Sequence, residues 1–193
     1  MAAPLLTLAR LTRLIARLAL LLVLSLALPA QADEATERAA LETLFAQLRV
    51  APDETAARQL SQAIWTVWTQ PSDPDLALRM ADVLEARLLR GAETTIDLLD
   101  ALIADYPDYA EGWNQRATMH YVTGDFEASI ADCDRTLELE PRHFGALSGR
   151  ALIYLQLGQR SLALRDIQAA LALNPWLAER ALFPELAEPA VRT

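Results

Sequence analysis

His120, His143 and Cys133 are the only imidazoles and the only thiol in this 193-residue sequence, so nucleophilic or metal chemistry must draw on them and on carboxylates. His120 and Cys133 stand 13 residues apart in helix-forming stretches. A Cys–His dyad needs a thiol that can ionise next to the imidazole; a small buried thiol beside a core histidine is the reading that the apolar context favours. Asp132 and Asp134 flank the cysteine, but neighbours on a helix point about 100° apart and alternate residues about 200°, so they cannot share an ion. Arg116 and Arg150 recur at a spacing of 34, as do Asp132 and Asp166, which points to repeated structural ion pairs. Arg142, His143 and Phe144 are consecutive and fall between helices, where they could meet a carboxylate or peptide, although a plain loop is the favoured reading. No catalytic residue, metal or cofactor is assigned.

The elements that must position these residues repeat. Pro107, Pro141 and Pro175 lie 34 residues apart, and each ends an amphipathic stretch. Laying Ala110–His143 over Phe144–Leu177 matches Arg116 with Arg150, Ala117 with Ala151, Gly124 with Gly158, Asp132 with Asp166 and Leu137 with Leu171. Each unit reads as two helices: Ala110–Val122 and Phe126–Leu139, then Phe144–Leu157 and Arg160–Leu173. Gly124 and Gly158 supply the tight turns.

Trp113, Ala117, Gly124-Asp125-Phe126, Ile130 and Leu137 to Pro141 resemble the 34-residue motif of the tetratricopeptide repeat (TPR) family, and Ala151, Tyr154, Leu157-Gly158, Ala163, Ala170-Leu171 and Asn174-Pro175 match it again. The resemblance implies an all-α, right-handed TPR-like helix-turn-helix solenoid. Residues 76–109 form a degenerate copy, with Arg79 at the tryptophan slot, Val83 at the small-residue slot and Gly91 one residue late; 110–143 and 144–177 are close copies. Ahead of them, 33–75 reads as a helix pair, Ala35–Arg49 and Asp53–Gln70, ending in the linker Pro71-Ser72-Asp73-Pro74; Trp65 and Trp68 are expected to pack on the next unit. Residues 178–193 read as a short capping helix and a tail, because Pro184 stops the helix.

Residues 1–32 hold Arg10, Arg13 and Arg17 and no acid, then an apolar run of 11 residues from Leu18 to Leu28 and Ala30-Gln31-Ala32. This is the layout of a secretory signal peptide, with Asp33 as the expected mature N-terminus. A kept anchor or a mitochondrial presequence fits less well, since a spanning helix needs about 20 apolar residues. The expectation is export, to a bacterial periplasm, without stable membrane insertion after cleavage. The chain has 17 basic residues, all Arg, against 26 acidic ones, a net of −9, which disfavours nucleic-acid partners. One cysteine allows neither an intramolecular disulfide nor a thiolate zinc site.

By the same resemblance the first helix of each unit faces a concave groove. There Glu111, Asn114, Thr118 and Tyr121 form one stripe, and Gly145, Ser148, Gly149 and Leu152 form the next. Each helix-interior glycine costs about 0.5–1 kcal/mol relative to alanine, so two of them four apart need a reason: tight packing against a neighbour, or a floor low enough for a ligand backbone. The family's grip on a chaperone's terminal carboxylate is disfavoured, because Met80, Leu84, Gln115, Gly145 and Gly149 occupy its slots and lysine is absent. The expected function is an interaction module binding a peptide or protein in this groove. An adaptor for an envelope protease or cell-wall hydrolase is the alternative, and a weak enzyme using His120 and Cys133 is a third.

Overall fold

The computed structural model describes residues 34–186; the signal segment read at 1–32 and the last residues of the tail lie outside it. Every regular element among the described residues is helical: α1 (34–48), α2 (Glu54–Thr69), α3 (Pro74–Leu89), α4 (Ala92–Asp105), α5 (Ala110–Thr123), α6 (Phe126–Leu139), α7 (Phe144–Gln156), α8 (Arg160–Leu173) and a 3-10 turn, Ala178–Leu182.

Local sequence explains where these helices start and stop. Asp53, Asp73 and Asp125 sit at N-caps, each accepting a backbone N–H of the first turn, and Pro74 takes the first position of α3, where its missing donor is harmless. Gly124 and Gly158 have φ of 81° and 70°, the left-handed region that lets the chain reverse after α5 and α7. In the degenerate unit Arg90 occupies the slot of Gly124, and Gly91, with φ 83°, takes the N-cap slot of Asp125. The reversal is thus made one residue later and without a side-chain cap.

The pairs α3–α4, α5–α6 and α7–α8 stack in order, α4 against α5 and α6 against α7. Ala117 and Ala151 are 2% and 0% exposed where the helices of a pair meet, and the Ser129 hydroxyl donates to the Ala117 carbonyl across that contact at 2.7 Å. Charge reinforces the stacking at the repeat spacing. Arg116 on α5 meets Asp132 on α6 through two bonds of 2.8 Å and Asp100 on α4 at 2.7 Å; Arg150 on α7 likewise bridges Asp166 on α8, at 2.6 Å, and Asp134 on α6. Each arginine therefore ties its own unit to the preceding one, and its bonds to these carboxylates raise its pKa.

The N-terminal pair departs from the expected order. α2 meets α3 sparsely, and Trp65 and Trp68 do not pack on the next unit. They lie against His143 and Phe144 at the start of α7, in a core with Phe45, Leu48 and Ile64 that Leu173, Trp176 and Leu177 complete. Polar ties fix the same docking: Arg142 to Glu42 at 2.8 Å, Asn174 to Ser61 at 3.1 Å, and the Trp176 indole N–H to the Ala51 carbonyl at 3.2 Å. The physical reason is the size of the aromatic surface. Phe45, Trp65, Trp68 and Phe144 form one aromatic cluster with the start of the last unit, and large rings dominate the burial that such a core provides. The prolines of the 71–74 linker let the pair turn back across the array.

Candidate functional site

The first helices α3, α5 and α7 line one side of a cleft, and α2 covers it from the other. The eight residues expected in the groove divide between its floor and its mouth. Glu111, Asn114 and Ser148 are buried; Thr118, Tyr121, Gly145, Gly149 and Leu152 are half-buried and remain open to the cleft.

Glu111 is 1% exposed, and three side chains bond to its carboxylate. Its carboxylate accepts from Gln115 at 2.5 Å, from Asn114 at 3.2 Å and from His143 Nε2 at 2.9 Å, while Gln115 in turn accepts from Arg87 at 2.8 Å. His143 is the N-cap of α7: its Nδ1 accepts the Ala146 N–H at 3.0 Å, so the ring proton sits on Nε2 and points at Glu111. The imidazole is also stacked on Trp68, with centroids 4.1 Å apart and planes 10° apart. Arg142-His143-Phe144 is therefore a buried joint between the N-terminal pair and the last unit, rather than a plain loop. Beside it the Tyr109 hydroxyl donates to the Trp68 carbonyl, and burial holds that phenol well above its ordinary pKa. Nothing in the composition singled out this network; the signal available was the recurrence of polar residues on a helix face that needed covering.

The two glycines have different reasons. A Cβ on Gly145 would lie 2.7 and 2.8 Å from the Trp65 ring, so this glycine exists to let the tryptophan seat on α7. A Cβ on Gly149 would meet nothing within 4 Å. Gly149 instead forms part of the floor of a mostly apolar cavity of about 180 Å³, with Ala117, Tyr121, Cys133, Leu152 and Ile153. That cavity opens into the larger cleft of about 530 Å³ beneath α2, which shares Thr118 with it and adds Gln62, Trp65, Arg87 and Ser148 to the walls. At its rim the Tyr121 hydroxyl accepts from Gln156 at 2.8 Å, and the ring lies 5.8 Å from Phe126.

Burial pushes the Cys133 thiol up to about 12, with Arg150 opposing and the nearby carboxylates adding to the rise. The residue is 3% exposed and lies at the inner wall of that cavity. His120 faces Asp132 at 3.8 Å, next to the Arg116 pair. Among the described residues no group of three His, Cys, Asp or Glu could hold a metal ion, and no helix is long and apolar enough to cross a membrane.

No protein-family model matches the chain. A TPR repeat-containing protein of Rhizobium etli is 36% identical over 135 residues, covering 70% of this chain and 66% of its own length. FlbA of Caulobacter vibrioides is 33% identical over 102 residues, 53% of this chain and 17% of FlbA. The chain thus spans just under two thirds of the first relative and a small part of the second. Among solved structures, a mutant of MamA aligns with a TM-score of 0.48 at 16% identity, over 72% of this chain and 97% of that one.

Proposed function

The chain belongs to the tetratricopeptide repeat family, and from that premise we propose that it is an interaction module which takes a peptide or protein partner in the cleft between α2 and the first helices α3, α5 and α7. The observation that carries this reading is Gly149. It weakens α7, a Cβ there would meet nothing within 4 Å, and it forms part of the floor of an apolar cavity rimmed by Tyr121 and Leu152. Gly145 has a packing reason in Trp65 and Gly149 has none, which is the pattern of a surface kept low for something that is not part of the chain.

The module binds rather than catalyses: the only thiol is held protonated by burial, and neither imidazole is placed as its base, since His143 is committed to Glu111 and Ala146 and His120 faces Asp132. We read it as exported to a periplasm, on the strength of the basic, apolar and small-residue order of positions 1–32. An exported product whose intact mass begins at Asp33 supports that; a membrane-bound product retaining 1–32 makes the segment an anchor.

A photoreactive residue tests the groove directly. Placed at Leu152 it should crosslink a partner in cells, whereas at Arg165, on the second helix of the same unit, it should not. Crosslinks at Arg165 alone would move the binding surface to the outer face.

A further inference from the structure

The cleft is not electrically uniform along its length. Arg87 stands on α3, at the first unit, and its guanidinium meets the side-chain oxygen of Gln115 but no carboxylate among the described residues. Glu179 stands on the 3-10 turn after the last unit and has no ion-pair partner among the described residues. Both line the same cavity, and α5 and α7 lie between them in the stacking order, so one cation and one anion are set at its two ends. Most of the described arginines are matched to a carboxylate, often at 2.6–2.8 Å, whereas Arg87 is not, and it and Glu179 are the charged side chains that line this cleft.

Between these ends the walls present acceptors. Thr118 and Ser148 spend their hydroxyl protons on the backbone carbonyls of Asn114 and Gly145, at 3.0 and 3.2 Å, and their oxygens are left to accept. The cavity over Gly149 is about 180 Å³ and largely apolar, similar to a buried cavity of about 150 Å³ that accommodates benzene. It fits one large aliphatic or aromatic side chain. The whole cleft, about 530 Å³, falls within the range of about 300–1,000 Å³ typical of small-molecule sites, and α2 closes over it. A ligand that ends inside the cleft suits these dimensions better than a chain that must pass through.

The geometry points to a short free peptide, bound as a zwitterion, as the ligand of this cleft: its carboxylate on Arg87, its ammonium on Glu179, its N–H groups on Thr118 and Ser148, and one large apolar side chain over Gly149. The assignment rests on the reading of the cleft as the binding site and adds the ligand's class and direction.

The test is calorimetric titration of the protein with the tripeptide alanyl-leucyl-alanine, its N-acetyl form and its C-terminal amide. Capping either end should weaken binding at least about tenfold, the scale of a lost charge-assisted hydrogen bond. Arg87→Gln should make acid and amide bind alike, and Glu179→Gln should do the same for the free and acetylated amine. Free and capped peptides of equal affinity overturn the proposal, as does failure of the free tripeptide to bind at millimolar concentration. Gly149→Leu, checked by circular dichroism for an intact fold, separates the two levels of inference. If it abolishes binding that is indifferent to the caps, the cleft stands and the zwitterion falls; if peptide binding persists unchanged, the cleft itself is the wrong site.

Discussion

Alanine at Gly145 and alanine at Gly149 are the same chemical change on the same helix, one turn apart, and they should move stability in opposite directions. Removing a helix-interior glycine is worth about 0.5–1 kcal/mol in either place. At Gly149 the new methyl enters open space, so that gain should appear in full. At Gly145 the methyl lands 2.7 Å from the Trp65 ring. The ring cannot step aside freely, because Trp68, His143 and Phe144 surround it with centroids at 5.3, 5.4 and 5.7 Å. Overpacking of that kind costs about 1–3 kcal/mol. The backbone gain is common to both variants, so this cost is the expected gap between them. For a chain of this size 1 kcal/mol is about 2–4 °C in Tm, and the gap should be about 2–12 °C. Thermal melts followed by circular dichroism, repeated in a Trp65→Leu background, measure it. The gap should close once the indole is gone. Equal stabilisation by both alanines in the parent chain would refute the docking of α2 on α7.

The same structure makes other demands. Ala151→Leu should cost about 1–3 kcal/mol, read as a lowered urea midpoint, because Ala151 is fully buried at the crossing of α7 and α8. Glu111→Leu should destabilise by about 3 kcal/mol or more, since it orphans donors on His143, Asn114 and Gln115 at about 1–3 kcal/mol each, and its effect should depend on the presence of the N-terminal pair. Cys133 should resist iodoacetamide at pH 8 in the native protein and react after unfolding. Folding raises its pKa from 9.0 to about 12, so the folded chain keeps a proton that the unfolded chain releases, and this component of stability is lost as pH rises from about 9 to about 12. Cys133→Ala should remove that component from a pH series of melts.

What could be read in advance followed from local order. The prolines at 107, 141 and 175, the turn glycines and the cap residues mark helix ends, and the helices of the two close repeats fall within a residue or so of the ends expected from them. Ion pairing of Arg116 with Asp132 and of Arg150 with Asp166 was legible because both partners recur together. The placement of α1 and α2 was not. Periodicity marks an apolar stripe but not the surface that covers it, and here the cover comes from residues about 80 positions away in sequence, Trp65 onto Gly145. That long-range choice also decided the site. It buried Glu111, Asn114 and Ser148, gave Gly145 a packing role, and left Thr118, Tyr121, Gly149 and Leu152 as the open part of the stripe.

The central claim is that a partner enters the cleft through the space above Gly149. Titration of a partner captured by crosslinking at Leu152, with the parent protein and with Gly149→Leu, tests it most directly, because leucine fills that space without removing any contact the folded chain makes. The predicted result is a melt no lower than the parent's and an affinity reduced at least about tenfold, equivalent to about 1.4 kcal/mol. An unchanged affinity in a folded variant would contradict the claim.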